Sequence, residues 1–287
     1  GIMNSCAIYL STGLQTVASR AAARAARVAH VAVVDTFTDA AYARSSVKLV
    51  AREGQALVDA AYAVVEEALS IIDLSLEPHP APHPRCGAVD MVSFMPLSEH
   101  RSSATPEGLQ ECDRLAWDLA SRVAMADCPI LLFGPRAGRS LLDARRATTF
   151  FSSTKDNACR DVALKLAPDM GPTAISQRRG VCILGAQPYV TNFNVRIEHA
   201  SLEASRLAAK ALRTRMGIQV MALPHEGGAI EIGCNLQAST ERDSPSLDDV
   251  LEVLAENLPK EAAIRSSYVV GLSPSAAHAK ALSQLTL

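Results

Sequence analysis

Residues 189–236 read YVTNFNVRIEHASLEASRLAAKALRTRMGIQVMALPHEGGAIEIGCNL, and this segment carries the clearest structural signal in the chain. Apolar side chains alternate with polar ones over residues 189–197 and again over residues 230–237. A period of two is typical of strands that bury one face. Between these strands, residues 201–214 place apolar side chains at helical spacing, and Gly217 is a helix stop. The segment is therefore predicted to contain strands and a helix that share one core.

The neighbouring residues complete a regular order of elements. Residues 218–223 are predicted to be a short strand, and the glycines at 227–228 turn the chain into the next strand. Ser246 is a helix N-cap with Asp249 in the capping-box position, and residues 264–272 close the segment as a strand. The order is βαββαβ. Strands with one polar face suit an antiparallel sheet covered by helices on one side, which is the ferredoxin-like pattern.

The first half of the chain repeats this order. The predicted strands are residues 6–10, 30–35, 46–50 and 87–95, and the predicted helices are residues 14–27 and 55–71. A further helix begins at Thr105 and Pro106, and an apolar strand at residues 130–133 follows it. Residues 135–188 are predicted to be a long connection with one helix. The fold class is therefore predicted to be α+β, with two ferredoxin-like βαββαβ subdomains built on antiparallel sheets.

The composition is that of an ordinary globular protein, with 48% hydrophobic and 20% charged residues. The net charge is -2 and the 28 basic residues are dispersed, which argues against a nucleic-acid partner. No apolar run approaches the roughly 18 residues of a membrane span, so no membrane partner is expected. The seven cysteines lack CxxC spacing, which favours a reducing, cytoplasmic location over a disulfide framework. The arginines near the beginning are interpreted as part of an integral helix, with an upstream organelle-targeting segment left open.

A proline-rich loop, EPHPAPHPRCG, spans residues 77–87. Alternate prolines exclude a helix and stiffen the chain in an extended form. His83 in this loop can exchange protons near neutral pH, and Arg85 can hold a carboxylate. A metal site that pairs His79 with His83 is disfavoured, because a four-residue spacing brings two ligands together only on a helix. The alternative is a solvated linker without chemistry.

A second candidate segment is residues 168–180, PDMGPTAISQRRG. Its glycines indicate a shaped loop, and Arg178 and Arg179 suit an anionic ligand; the alternative is a surface turn. The glycine spacing fits neither a P-loop nor a Rossmann motif. Asp35 and Arg44 are polar groups at a predicted sheet edge. No GxSxG motif is present, and nothing favours a Ser/His/Asp or Cys/His enzyme.

These segments resemble the formiminotransferase domain of glutamate formiminotransferase and formiminotransferase-cyclodeaminase. The family stretch I-D-M-S, a short linker and H-P-R-M-G-A-L-D-V is similar to IDLS at residues 72–75 followed by HPRCGAVDM at residues 83–91. The family loop that begins P-D-F-G-P is similar to residues 168–180. Shorter similarities, in the right order, lie at residues 139–150, 193–195 and 270–274.

The resemblance implies two formiminotransferase subdomains, residues 1–186 and 187–287, a homodimer, and a folate bound in the cleft between the subdomains. It implies transfer of a formimino or formyl group between glutamate and N5 of tetrahydrofolate, which is a co-substrate, without a metal. The histidine of the H-P-R motif corresponds to His83, the general base and acid. Arg85 and Arg44 are candidates for binding the glutamate-derived substrate. The implied folate-contacting loop comprises Gly171, Pro172, Thr173, Ala174, Ile175, Ser176, Gln177, Arg178, Arg179 and Gly180.

The chain departs from the family pattern at several positions. Residues 7–13, AIYLSTG, stand where the family has V-P-N-F-S-E-G. Asp35-Thr-Phe37 replaces D-x-D, so one acid is missing unless Asp39 substitutes for it, and Arg179 replaces a tryptophan. A folate-binding relative with lost or altered catalysis is therefore the alternative to an active transferase. A third reading is an interaction protein that uses the same scaffold.

Overall fold

The computed structural model describes residues 3–76, 82–98, 105–152, 163–238 and 243–285. Within these ranges the chain forms two sheets, one of six strands and one of four, and both are covered by helices. The predicted α+β class with two ferredoxin-like units is confirmed. No helix in the described ranges combines the length and the apolar character needed to cross a membrane.

The first sheet contains a complete ferredoxin-like unit and two added strands. Its strands are β1 (Met3–Leu10), β2 (Val31–Asp39), β3 (Arg44–Ala51), β4 (Val89–Leu97), β5 (Ile130–Phe133) and β6 (Cys182–Ala186). The spatial order is β2-β3-β1-β4-β6-β5, and the first four strands are antiparallel neighbours. The added strand β6 pairs in parallel with both β4 and β5. The antiparallel prediction is confirmed for the βαββαβ unit, and a parallel edge extends it.

Three helices cover one face of this sheet. They are α1 (Gln15–Ala25), α2 (Gly54–Ile71) and α3 (Pro106–Met125), and their apolar sides share a core with alternate residues of the strands. Helix α3 begins as predicted, because the Thr105 side chain accepts a hydrogen bond from the N–H of Gly108 at 3.1 Å and Pro106 follows it. These three helices leave the other face of the sheet uncovered.

The second sheet is the ferredoxin-like unit predicted from the C-terminal third. Its strands are β7 (Thr191–Glu198), β8 (Gln219–Pro224), β9 (Ile230–Leu236) and β10 (Ala263–Val270), in the antiparallel order β10-β7-β9-β8. Helices α5 (Leu202–Met216) and α6 (Leu247–Asn257) cover its apolar face. The opposite face of β7 and β9 carries polar side chains such as Asn192, Asn194 and Asn235. This polar face is turned toward the first sheet.

Two further helices border the space between the two sheets. Helix α4 (Leu141–Arg146) begins with a capping box between Ser140 and Asp143 and packs beside β5 and β6. Helix α7 (Pro274–Leu285) returns from the second half and packs Ala277 and Ala281 against the open face of the first sheet. It covers only part of that face, so the remainder lies opposite the second sheet. The division of the chain after residue 186 stays a prediction.

Candidate functional site

A cavity lies between the open face of the first sheet and the polar face of the second. The first sheet and its loops contribute, among others, Tyr9, Phe37, Ser46, His83 and Met91, and the second sheet contributes Asn192, Asn194, Glu231 and Asn235. The two lobes are joined across it, since the Tyr9 hydroxyl donates to Oδ1 of Asn192 at 2.9 Å. The cavity thus contains polar groups from both halves of the chain.

His83 is held in the wall of this cavity by the end of the proline-rich loop. Its ring lies 5.5 Å from the ring of Tyr42 and 6.5 Å, edge-on, from the ring of Phe150, measured between centroids. Its Nδ1 lies 2.8 Å from the carbonyl oxygen of Pro84. Because a carbonyl can only accept, this contact assigns the proton to Nδ1 and leaves Nε2 as the basic nitrogen. His79, the other histidine of this loop, lies outside the described residues.

The surroundings of His83 keep its imidazole neutral. Desolvation in the cavity wall, reinforced by the positive charge of Arg44, lowers the pKa of His83 to about 3. The carbonyl of Pro84 and the charge of Asp90 act in the opposite direction but do not outweigh these effects. A neutral imidazole at physiological pH is the form that can accept a proton from a substrate.

Arg44 lines the cavity and also anchors the turn that follows His83. Its Nη2 donates to Oδ2 of the buried Asp90 at 2.8 Å, and its Nη1 donates to Oγ of Ser11 at 3.0 Å. The other carboxylate oxygen of Asp90 accepts the backbone N–H groups of Cys86 at 2.5 Å and Gly87 at 3.2 Å. Burial raises the pKa of Asp90, but the charge of Arg44 and the Cys86 N–H outweigh it, and this pKa lies below its ordinary value.

The other sequence-predicted residues lie away from the cavity lining. Arg85 is only 3% exposed and is not among the described residues that line the cavity. In the loop of residues 171–180, Arg178 donates to the carbonyl of Ser70 at 3.2 Å, and Arg179 donates to the carbonyl of Ala126. These carbonyls lie at the C-terminal ends of α2 and α3, where cationic side chains are stabilising. The folate-contacting role of residues 171–180 stays a prediction.

The second lobe adds polar groups that the sequence did not single out. The carboxylate of Glu231 accepts the Tyr268 hydroxyl at 2.7 Å and the Asn194 side-chain amide at 2.9 Å. Nε2 of His225 lies 3.2 Å from Oδ2 of Asp39, which belongs to the first lobe. The available signal is the alternation of polar residues along β7 and β9, which predicts a sheet with one polar face and does not show what that face contacts.

One group of the described residues has the composition of a metal site. The ligand atoms of Asp39, His225 and Glu231 all lie within 4.8 Å of one another. However, the guanidinium of Arg196 contacts Nδ1 of His225 at 3.0 Å and lies 3.9 Å from Glu231. A fixed positive charge at this distance opposes binding of a divalent cation.

Comparison with known proteins identifies the family. The sequence model described as formiminotransferase domain, N-terminal subdomain, matches residues 3–187. The chain belongs to the formiminotransferase family. The resemblance carried by the His83-Pro-Arg motif is therefore confirmed, and so is the prediction of a transferase at the level of the family.

Curated members of the formiminotransferase family are similar to the chain over different lengths. A formiminotransferase cyclodeaminase-like protein of Arabidopsis thaliana is 30% identical over 269 residues, which are 88% of each chain. A glutamate formimidoyltransferase of Thermoplasma acidophilum is 32% identical over 196 residues, 67% of this chain and 60% of that relative. The formimidoyltransferase-cyclodeaminase of Sus scrofa is 30% identical over 156 residues, and the match covers 26% of its length. The similarity to the first relative extends across both lobes.

Proposed function

We propose that this chain transfers a formimino group from N-formiminoglutamate to N5 of tetrahydrofolate, with His83 as the general base and acid. The observation that carries the proposal is the position of the His83 imidazole in the wall of a polar cavity between two ferredoxin-like lobes. Family membership and the printed names of the glutamate formimidoyltransferase relatives support the same reaction.

The proposed reaction needs one proton to move twice. N5 of tetrahydrofolate attacks the formimino carbon and gives its proton to Nε2 of His83. The imidazolium then returns this proton to the departing nitrogen of glutamate as the carbon–nitrogen bond breaks. The products are N5-formiminotetrahydrofolate and glutamate. General acid–base catalysis of this kind contributes roughly 10²–10⁴-fold, and holding both substrates in one cavity adds a proximity effect.

Two arginines are suited to orient the carboxylates of the substrates. Arg44 lines the inner cavity beside His83 and is proposed to contact the glutamate-derived donor. Arg145, on α4, lines both the inner cavity and an adjoining groove of about 830 Å³. The groove also presents Arg146, Arg206 and Arg213, so it is proposed to accept the glutamyl end of the folate. Arg85 is buried outside the cavity lining, so it remains a candidate only for an indirect role in substrate binding. The homodimer and the cytoplasmic location stay predictions.

A folate-binding protein with altered catalysis is the second candidate. Phe37 lines the cavity at the position where the family pattern has the second acid of D-x-D. An aromatic ring there removes a carboxylate from the substrate side of the site, and it leaves His83 and Arg44 unchanged. This observation favours changed donor use over loss of folate binding.

The experiment that tests the proposal combines binding and turnover. Purified protein is titrated with tetrahydrofolate by calorimetry, then mixed with tetrahydrofolate and N-formiminoglutamate while the N5-substituted product is followed by mass spectrometry. Saturable folate binding and product formation are expected. Binding without product would favour the second candidate, and the absence of folate binding would contradict both.

A further inference from the structure

One side of the cavity, formed by both lobes, carries an unbalanced negative charge. Glu231 is 1% exposed, and both it and Asp39 line the cavity. The cation beside them is the guanidinium of Arg196, 3.9 Å from Glu231. Because a guanidinium only donates, its contact with His225 makes Nδ1 of that ring an acceptor, and the Nε2–H donates to Asp39. Among the described residues on this side of the cavity, two carboxylates therefore face one guanidinium.

The adjacent side of the cavity, around His83, has the opposite balance. The ring of Tyr42 lies between the two sides, 5.5 Å from the ring of His83 and 4.8 Å from the ring of His225. Arg44 and Arg145 both line the side around His83, and Asp90 is the carboxylate that pairs with Arg44. The contacts described for Arg145 are to Sδ of Met91 at 3.6 Å and to the ring of Phe150, with 4.8 Å from its Cζ to the centroid. Two guanidinium groups therefore face one carboxylate. A cavity with a positive side and an adjacent negative side is complementary to a ligand that carries both charges.

An unsatisfied polar group independently indicates a place for a polar partner in the cavity. Ser46 is 2% exposed, its side chain lines the cavity, and its Oγ has no hydrogen-bond partner among the described residues. Buried hydroxyl groups rarely remain without a partner, because the lost hydration has to be replaced. A polar ligand in the cavity would supply that partner.

We propose that Glu231, assisted by Asp39, binds the cationic amidinium of the formimino donor and so selects this donor over a neutral formyl donor. The inference rests on the proposed function and names the substrate group that the second lobe recognises. An amidinium is planar and presents N–H donors in a fork that matches a carboxylate. Glu231 accepts hydrogen bonds from the side chains of Asn194, Tyr268 and Tyr42, which leaves about one of its four acceptor positions for a ligand.

A formyl group is disfavoured at the same position. Its oxygen can only accept hydrogen bonds, so it would face two carboxylates without a donor between them. A site built to pair with a donor group rejects an analogue that lacks it, because the buried groups of the site remain unpaired. The discrimination thus comes from Glu231 and Asp39 rather than from the size of the cavity.

The test compares two donors that differ only in this group. N-formiminoglutamate and N-formylglutamate are each titrated into wild-type protein and Glu231→Gln by calorimetry, and kcat/KM with tetrahydrofolate is measured for both. The expected result is a loss of about 10- to 100-fold in affinity and kcat/KM for the formimino donor in Glu231→Gln. The values for the formyl donor are expected to stay within about threefold. Equal losses for both donors, or no loss, would overturn the inference.

Controls separate this inference from folding effects and from the proposed function. Glu198→Gln makes the same chemical change at a carboxylate that pairs with the exposed Arg265 outside the cavity, and it is expected to leave both donors unaffected. If the unfolding midpoint of Glu231→Gln is well below that of the wild type, Asp39→Asn is measured in the same way. If the formimino donor binds in a way that depends on Glu231 but the wild type shows no turnover, the amidinium site is supported and the proposed function is contradicted. If the wild type binds Zn²⁺ stoichiometrically and Glu231→Gln does not, Asp39, His225 and Glu231 form a metal site, and the inference of an amidinium site is overturned.

Discussion

The guanidinium of Arg44 and the carboxylate of Asp90 form an ion pair of 2.8 Å between strands β3 and β4. The two strands are not neighbours in the sheet, because β1 lies between them. Asp90 uses its second oxygen to hold the backbone N–H groups of Cys86 and Gly87, directly after the His83-Pro-Arg segment. The pair therefore fixes the end of the loop that presents His83 to the cavity.

Replacement of Asp90 is expected to destabilise the protein strongly. Asp90→Asn leaves the charge of Arg44 buried without its carboxylate, and breaking a buried pair in this way costs about 3–5 kcal/mol. The free energy of unfolding is measured by urea denaturation. Asp118→Asn is the control, because Asp118 pairs with the half-exposed Arg114 and such pairs contribute less than about 1 kcal/mol. Similar effects for the two variants would show that the Arg44–Asp90 pair is not an anchor.

Removal of the imidazole is expected to separate catalysis from binding. His83→Ala should lower turnover of the formimino donor by about 10²–10⁴-fold, because no group then accepts the proton from N5. The affinity for tetrahydrofolate should stay within roughly tenfold. Steady-state kinetics and calorimetry give the two quantities. His199→Asn is a matched control, since His199 is exposed and its positive φ of 58° is one that asparagine tolerates. Unchanged turnover in His83→Ala would refute the role given to this residue.

The half of the fold with alternating strands was predictable from local patterns. Strands β7 and β9 bury one face only, so their period of two is visible in the sequence, and Ser246 and Asp249 form the predicted capping box. Strand β6 was missed within the predicted long connection. Its sequence, CILGA, is buried on both faces because it lies inside the sheet between β4 and β5, and such a strand shows no alternation.

The candidate site was predictable only where one short segment carries it. His83 and Arg44 both line the cavity. His83 was a candidate from the proline-rich loop itself, whereas the role of Arg44 was implied only by the family resemblance. The contact between Asp39 and His225 joins residues 186 positions apart, so it depends on how the two lobes meet rather than on any local pattern. The same reason applies to Glu231, which lies on the polar side of an alternating strand and meets its partners Asn194 and Tyr268 only in the folded sheet. Arg178 and Arg179 are engaged by helix ends that the sequence could not place beside them.

The lowered pKa of His83 predicts a pH dependence of stability. With a folded-state pKa of about 3 and an unfolded-state value near 6.5, the unfolded state binds more protons between these values. The free energy of unfolding should therefore fall as the pH decreases from about 6.5 toward 3. Between pH 7.5 and 5.0, His83 should account for a loss of about 1–2 kcal/mol.

His83→Gln isolates this contribution, because the variant cannot titrate at position 83 and keeps a polar side chain. Urea denaturation of the wild type and the variant is compared at pH 7.5 and 5.0. The other histidines contribute equally to both proteins, and Asp90, whose pKa is also lowered, titrates below this window. Parallel curves for the two proteins would contradict a depressed pKa at His83.

The contact between Gly180 and the His83-Pro-Arg turn gives a further prediction about the backbone. Gly180 has φ +67°, and a Cβ there would lie 2.4 Å from the carbonyl oxygen of Cys86 and 2.8 Å from Cα of Gly87. Gly227 has nearly the same φ, +68°, with nothing within 4 Å of the corresponding position. The two glycines therefore differ in the space around them and hardly at all in conformation.

Gly227→Ala is expected to cost about 1–2 kcal/mol of unfolding free energy, the penalty for a left-handed alanine. Gly180→Ala should cost at least about 2 kcal/mol more, because the new methyl group has to displace the backbone of residues 86–87. Urea denaturation measures both. That displacement would also shift the loop that holds His83, so turnover should fall in Gly180→Ala and not in Gly227→Ala. Equal stability losses would mean that the loop of residues 171–180 yields to the methyl group and does not support the loop that holds His83.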